Sequence, residues 1–144
     1  MDRELAKYFF DQTSKAFAFL VNEYSFAPPQ IQIDEKINFA YVTFFGKNLA
    51  IEFILDEREG DIDCKIVRVL NGKKPPYFAV DETGLRMREG LVSLLRRRGV
   101  KERLFEPVGQ LDLRERIKVT LAAFASMLKK HGSEVLNDSP AALA

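Results

Sequence analysis

One cysteine, one histidine and no tryptophan occur in the 144 residues of this chain, and each scarcity removes a class of explanation. A lone Cys64 cannot close an intrachain disulfide, which points to a reducing, cytoplasmic setting. With that one thiol and a single imidazole, His131, a structural zinc site has too few ligands. No apolar run approaches the ~20 residues that span a bilayer. The opening Met1-Asp2-Arg3-Glu4 has none of the features of a signal peptide, so no membrane partner is expected. A dominant charge is missing as well. The net charge of +1 provides no global field to draw nucleic acid or acidic lipid, and recognition by charge must come from local patches. No glycine-rich phosphate loop occurs either.

What is present fits a single α+β domain spanning 1–144. Hydrophobic residues make up 47% and charged residues 30%, a balance that supports a core without a metal or disulfide. The first element is a helix over 2–24, with Leu5, Phe9, Ala16, Leu20 and Tyr24 at helical spacing. Adding Tyr8, Phe10, Phe17, Phe19 and Val21 widens its apolar arc to roughly 220°, against the ~100° an ordinary amphipathic helix needs. Such a helix requires cover on two sides, by the sheet and by either another helix or a second copy of the chain. A homodimer through this helix is the resulting expectation. Phe26-Ala27-Pro28-Pro29 ends it.

Strands follow. The patterns predict them at 30–34, 37–45, 49–56, 61–70 and, as a short edge, 77–80, where Pro75-Pro76 suits a border position. Gly46-Lys47-Asn48 and Asn71-Gly72 supply tight turns. The short connections imply an antiparallel meander of four to five strands. Two C-terminal helices, packed on one face, complete the fold. One covers 83–98, with Gly99 beyond it, and the other opens at Asp112, where Glu115 stands at capping-box spacing. Leu113, Ile117, Leu121, Phe124 and Leu128 form the buried stripe of the second. The tail 136–144 is expected to fray.

Few residues invite chemistry. The acidic hairpin Asp56, Glu57, Glu59, Asp61 and Asp63 could crowd oxygens around calcium. An EF-hand loop counted from Glu57 would need glycine and glutamate where Ile62 and Arg68 stand. The hairpin reads either as a solvated turn or as a patch for a basic protein partner. Glu52 and Asp63 could face the same way on adjacent strands, but a carboxylate pair without a cleft or base is only β alternation. His131 at a helix end suits the negative dipole terminus. Cys64, flanked in alternation by isoleucines, reads as a buried, inert thiol.

Arg96, Arg97 and Arg98, with Lys101 and Arg103, form the main basic patch. Arginines in a last turn cap carbonyls, and Glu89, Glu102 and Glu106 break up the field, so nucleic-acid contact is disfavoured. The twelve Phe and four Tyr could line a small-molecule pocket between sheet and helix, giving a binder or an enzyme, or could simply be core. The sequence thus nominates no catalytic residue, no cofactor and no metal ligand. A non-catalytic protein-interaction domain is its leading expectation.

Three stretches carry a resemblance: 17–26 (Phe-Ala-Phe-Leu-Val-Asn-Glu-Tyr-Ser-Phe), 51–58 (Ile-Glu-Phe-Ile-Leu-Asp-Glu-Arg) and 128–138 (Leu-Lys-Lys-His-Gly-Ser-Glu-Val-Leu-Asn-Asp). In order and chemistry they resemble a loose group of small bacterial α+β proteins, some of them read as immunity proteins of polymorphic toxin systems. The resemblance implies a non-enzymatic protein that binds another protein, and it brings no catalytic residues with it.

Overall fold

The computed structural model describes residues 1–75 and 80–144. Asp2 opens the first helix, α1 (Arg3–Ala16), its carboxylate accepting from the backbone N–H groups of Glu4 and Leu5 at 2.9 and 3.2 Å. The continuous helix expected over 2–24 breaks at Phe17, and a second helix, α2, runs Ala18–Tyr24. Just before the break, the hydroxyls of Thr13 and Ser14 donate to the carbonyls of Phe9 and Phe10 at 2.6 and 2.7 Å. Bonds of that kind compete with the backbone ladder and bend helices. Phe17 turns fully inward, its ring 4.1 Å from Phe53.

The break also accounts for the wide apolar arc, which spreads two helices over one wheel. Two of the outer aromatics are covered from within the chain. Tyr8 donates to the Arg114 carbonyl and lies under its guanidinium, and the Lys129 ammonium sits 4.5 Å from the Phe19 ring. The cover on these two rings comes from the long helix α4 (Leu113–His131).

Five strands form one antiparallel meander in the order β1 (Gln30–Asp34), β2 (Phe39–Phe45), β3 (Leu49–Asp56), β4 (Asp61–Arg68), β5 (Arg88–Gly90). Alternation sends Ala40, Val42, Phe44, Ile51, Phe53, Leu55, Cys64 and Ile66 to one face, every one at 0% exposure. On that face lie α1, α4 and the short helix α3 (Leu91–Arg97). At ~1.5–3 kcal/mol per buried large apolar side chain, this layer supplies the main drive for folding.

The expected edge strand at 77–80 falls largely outside the described residues. The edge position is taken by Arg88–Gly90, which pairs with β4 through Lys65, Ile66 and Val67. The helix expected over 83–98 is accordingly shorter. The Asp81 carboxylate accepts from the N–H of Thr83 and of Leu85 and from the Thr83 hydroxyl, at 2.6–2.9 Å, which bends 81–85 into a turn. Helix begins only after Gly90. The Asn71-Gly72 turn forms as predicted, both residues at positive φ, with Leu70 and Lys73 exchanging backbone bonds.

The tail differs from expectation. It folds as α5 (Ser133–Leu136) and a 3₁₀ turn at Pro140–Leu143, burying Ala142 and Leu143. Between them Asp138, at φ 55°, places its carboxylate against the β2–β3 turn. The N–H groups of Lys47, Asn48 and Leu49 all donate to it, at 2.6, 3.1 and 2.7 Å. Successive N–H groups of this kind make a backbone nest for an anion, supplied here by the chain itself.

Candidate functional site

Opposite residues on antiparallel strands share a face, so the register defines the outer surface of the sheet. Asp34, Phe39, Asp56 and Asp61 form one row across four strands. Gln32, Tyr41, Ile54 and Asp63 form the next, and Gln30, Thr43, Glu52 and Lys65 a third. Asp56, Asp61 and Asp63 of the acidic hairpin therefore lie at one end of this face, and the register adds Asp34 to them.

The hairpin is rigid. Asp56 accepts from the N–H groups of Arg58 and Glu59 at 3.1 and 3.2 Å, and Gly60 takes the positive φ of 68° that closes the turn. The Arg116 guanidinium donates to the Gly60 carbonyl at 3.2 Å. Glu57 accepts from the Asp2 N–H at 3.1 Å and Asp63 from the Cys64 N–H at 2.8 Å, so three of the five carboxylates hold backbone groups. Glu59, Asp61 and Asp63 stand exposed. Next to them Glu35 pairs with the N-terminal ammonium at 3.1 Å and with Arg3 at 2.7 Å. The hydrogen bond from the N-terminus holds its carboxyl below the usual range. Phe39 and Tyr41, ring centroids 6.1 Å apart, lie among these acids. Among the described residues no group of three or more His, Cys, Asp or Glu side chains is placed to hold a metal ion.

Further along the same face sits a largely buried ionic cluster that sequence reading missed. Glu52 is only 2% exposed. Its Oε2 accepts from the Lys74 ammonium at 2.6 Å, and Arg88 Nη1 stands 3.7 Å from its Oε1. Lys74 also donates to Thr43 Oγ1 at 3.2 Å, and Arg88 donates to the Pro75 carbonyl at 3.2 Å. Asp63 does share the face of Glu52, but it accepts from the Cys64 N–H at 2.8 Å, and the partners of Glu52 are cations. A cleft of about 540 Å³ opens over the cluster. A signal existed in Leu49–Asp56, where Glu52 shares its face with Ala50 and Ile54, an apolar setting that a carboxylate enters only with partners.

Of the aromatics considered for a pocket between sheet and helices, Phe9, Phe17, Phe44 and Phe53 are fully buried and Phe124 nearly so. No family model, curated protein or solved structure matches this chain.

The basic patch is spent on the chain's own structure. Arg96 donates to the carbonyls of Val100 and Glu102, and Arg97 to Glu89 and the Ala144 carbonyl. Arg98 bonds Glu134 and the Ala141 and Ala142 carbonyls. Arg103 bonds the Phe105 carbonyl, while Lys101 is exposed. His131 Nε2 lies 2.8 Å from Glu102 in the last turn of α4. Cys64 is fully buried, and burial pushes its thiol well above the ordinary value. No helix among the described residues is long and apolar enough to cross a membrane.

Proposed function

We propose that this protein is a non-catalytic interaction domain that docks a basic protein partner on the acidic end of its outer sheet face. The observation that supports this reading is the row Asp34, Phe39, Asp56, Asp61, bordered by the exposed Glu59 and Asp63. A rigid rim of like charge steers an oppositely charged partner and fixes its register. The aromatic rings within the rim offer faces for the cationic side chains such a partner would carry. The resemblance to small bacterial proteins of immunity type favours the same reading, since those act by binding another protein.

The test is capture of partners from native cells by the immobilised protein and by a Glu59→Lys, Asp61→Lys, Asp63→Lys variant. All three residues are exposed, so the fold should survive the change. A partner held by this surface is retained about tenfold less by the variant, and its capture weakens as salt rises. If every captured protein is held equally by both forms, the acidic end is not the docking surface.

A further inference from the structure

An open sheet has two edges, and this one guards them unequally. β5 is only three residues long and charged at Arg88 and Glu89, a poor template for another strand. β1 is different. Its five residues, Gln-Ile-Gln-Ile-Asp, contain no proline, lysine or arginine, and Gln30, Ile31 and Gln32 are exposed. It pairs with β2 in unbroken register from Gln30 to Asp34. Among the described residues, no group outside that ladder bonds the β1 main chain. Alternate N–H and C=O groups of β1 therefore point away from the sheet toward solvent.

An apolar side chain accompanies the open edge. Ile31 pairs with Val42 and Ile33 with Ala40, so both isoleucines belong to the helix-covered face. Ile33 packs against the core, whereas Ile31 remains 40% exposed at the border. Unpaired main-chain groups and an uncovered apolar side chain stand together there, the combination that an added strand uses.

We infer that a second copy of this chain supplies that strand, the two β1 strands pairing antiparallel about Gln32 into one continuous sheet. In this register Gln32 faces Gln32, each Ile31 faces the second copy's Ile33, and each Gln30 faces the second copy's Asp34. The isoleucines of both copies then meet on the helix-covered face, and no like charges stand opposite. Other registers fit worse. A slip of one residue sets each isoleucine against Gln or Asp. A slip of two sets Ile31 against Glu35 in one direction and, in the other, Ile33 against Pro29, which has no N–H.

Charge agrees over a longer range. The acidic row that begins at Asp34 continues into the second copy's row of Gln30, Thr43, Glu52 and Lys65, so the two acidic ends lie at opposite corners. A basic strand from an unrelated partner would find only Asp34 to pair by charge, the other four β1 residues being uncharged. The two-fold contact uses the same edge on both copies and closes at two. A five-residue edge buries little area, so the dimer is reversible and fills at high concentration.

Sedimentation equilibrium of the full chain from about 5 to 500 µM would test this, together with oxidative cross-linking of cysteine variants. The native Cys64 is fully buried and stays out of the reaction. The expected result is a mass that rises from one chain toward two. Ile31→Lys puts a charge into the isoleucine cluster and should weaken the dimer at least about tenfold. Gln32→Cys lies on the two-fold axis and should cross-link to its own copy, whereas Gln30→Cys, roughly 14 Å from its counterpart, should not. Ile31 is exposed, so Ile31→Lys should keep the wild-type circular dichroism; if it fails to fold, the two cysteine variants decide alone. A one-chain mass up to about 500 µM, an undiminished dimer in folded Ile31→Lys, or cross-linking of Gln30→Cys equal to that of Gln32→Cys would overturn the inference. The Lys triple variant at 59, 61 and 63 should dimerise normally, so failure here is separable from failure of the docking role.

Discussion

Asp138 shows how much one side chain can organise. Three consecutive backbone N–H groups from the β2–β3 turn donate to its carboxylate, and the Asn48 amide donates to its carbonyl at 3.0 Å. Bonds to a charged acceptor contribute more than neutral ones, and this acceptor belongs to a residue about ninety positions along the chain from its donors. Asp138→Ala strands those donors and releases the tail, and should cost about 2 kcal/mol. A urea midpoint lowered accordingly, at unchanged slope, would show it. A midpoint within error of the wild type would mean water replaces the carboxylate without loss. Glu52 is the opposite case, a carboxylate whose own bonding is incomplete and whose surroundings are built from other elements.

At the scale of elements, the same nest predicts a coupling. A β-carbon on Gly46 would lie 2.7 Å from the Asp138 carboxyl carbon and 2.8 Å from the Leu49 carbonyl oxygen. Contact with backbone leaves little room to adjust, so Gly46→Ala should cost about 2 kcal/mol by itself. Since both substitutions dismantle one contact, the double variant should lose clearly less than the sum. Additivity within about 0.5 kcal/mol would show that turn and tail are independent.

The elements also divide into those the sequence made legible and those it did not. The alternation read at 37–45, 49–56 and 61–70, the Asn71-Gly72 turn and the Asp112 cap all report local physics, and the strands formed within those spans, at Phe39–Phe45, Leu49–Asp56 and Asp61–Arg68. The breaks at Phe17 and over 83–90 depended on side chains taking hold of backbone groups: Thr13 and Ser14 in the first case, Asp81 in the second. Periodicity counts apolar residues and is blind to such competition. The tail depended on a nest that exists only once the β2–β3 turn has formed.

Across the whole molecule, a near-neutral total conceals a strong division of charge, and this shaped what could be read of the candidate site. The hairpin acids were visible as a run, whereas their union with Asp34 required the register. The Glu52 cluster required the crossing of Lys74 from the segment after β4 and of Arg88 from β5. Ion pairs of this long-range kind also govern how the fold answers acid.

Besides Glu35, three carboxyls sit below their usual range. Asp81 is lowered by the Thr83 hydroxyl, and Glu102 by Lys130 and then His131. Burial pushes Glu89 up, but the hydrogen bond and charge of Arg97 outweigh it. A depressed folded value means that the unfolded chain binds the proton first. The stability these groups contribute is therefore complete above the ordinary carboxylate range, near pH 4, and drains as pH falls through their folded values. Urea midpoints should accordingly be insensitive to these groups between about pH 7 and 5 and fall steeply below about pH 4. Glu89→Gln removes one proton-binding difference, so its midpoint should start lower at neutral pH and decline less on acidification. An equally steep decline would mean that Glu89 is protonated alike in both states and that the Arg97 pair does not hold in solution.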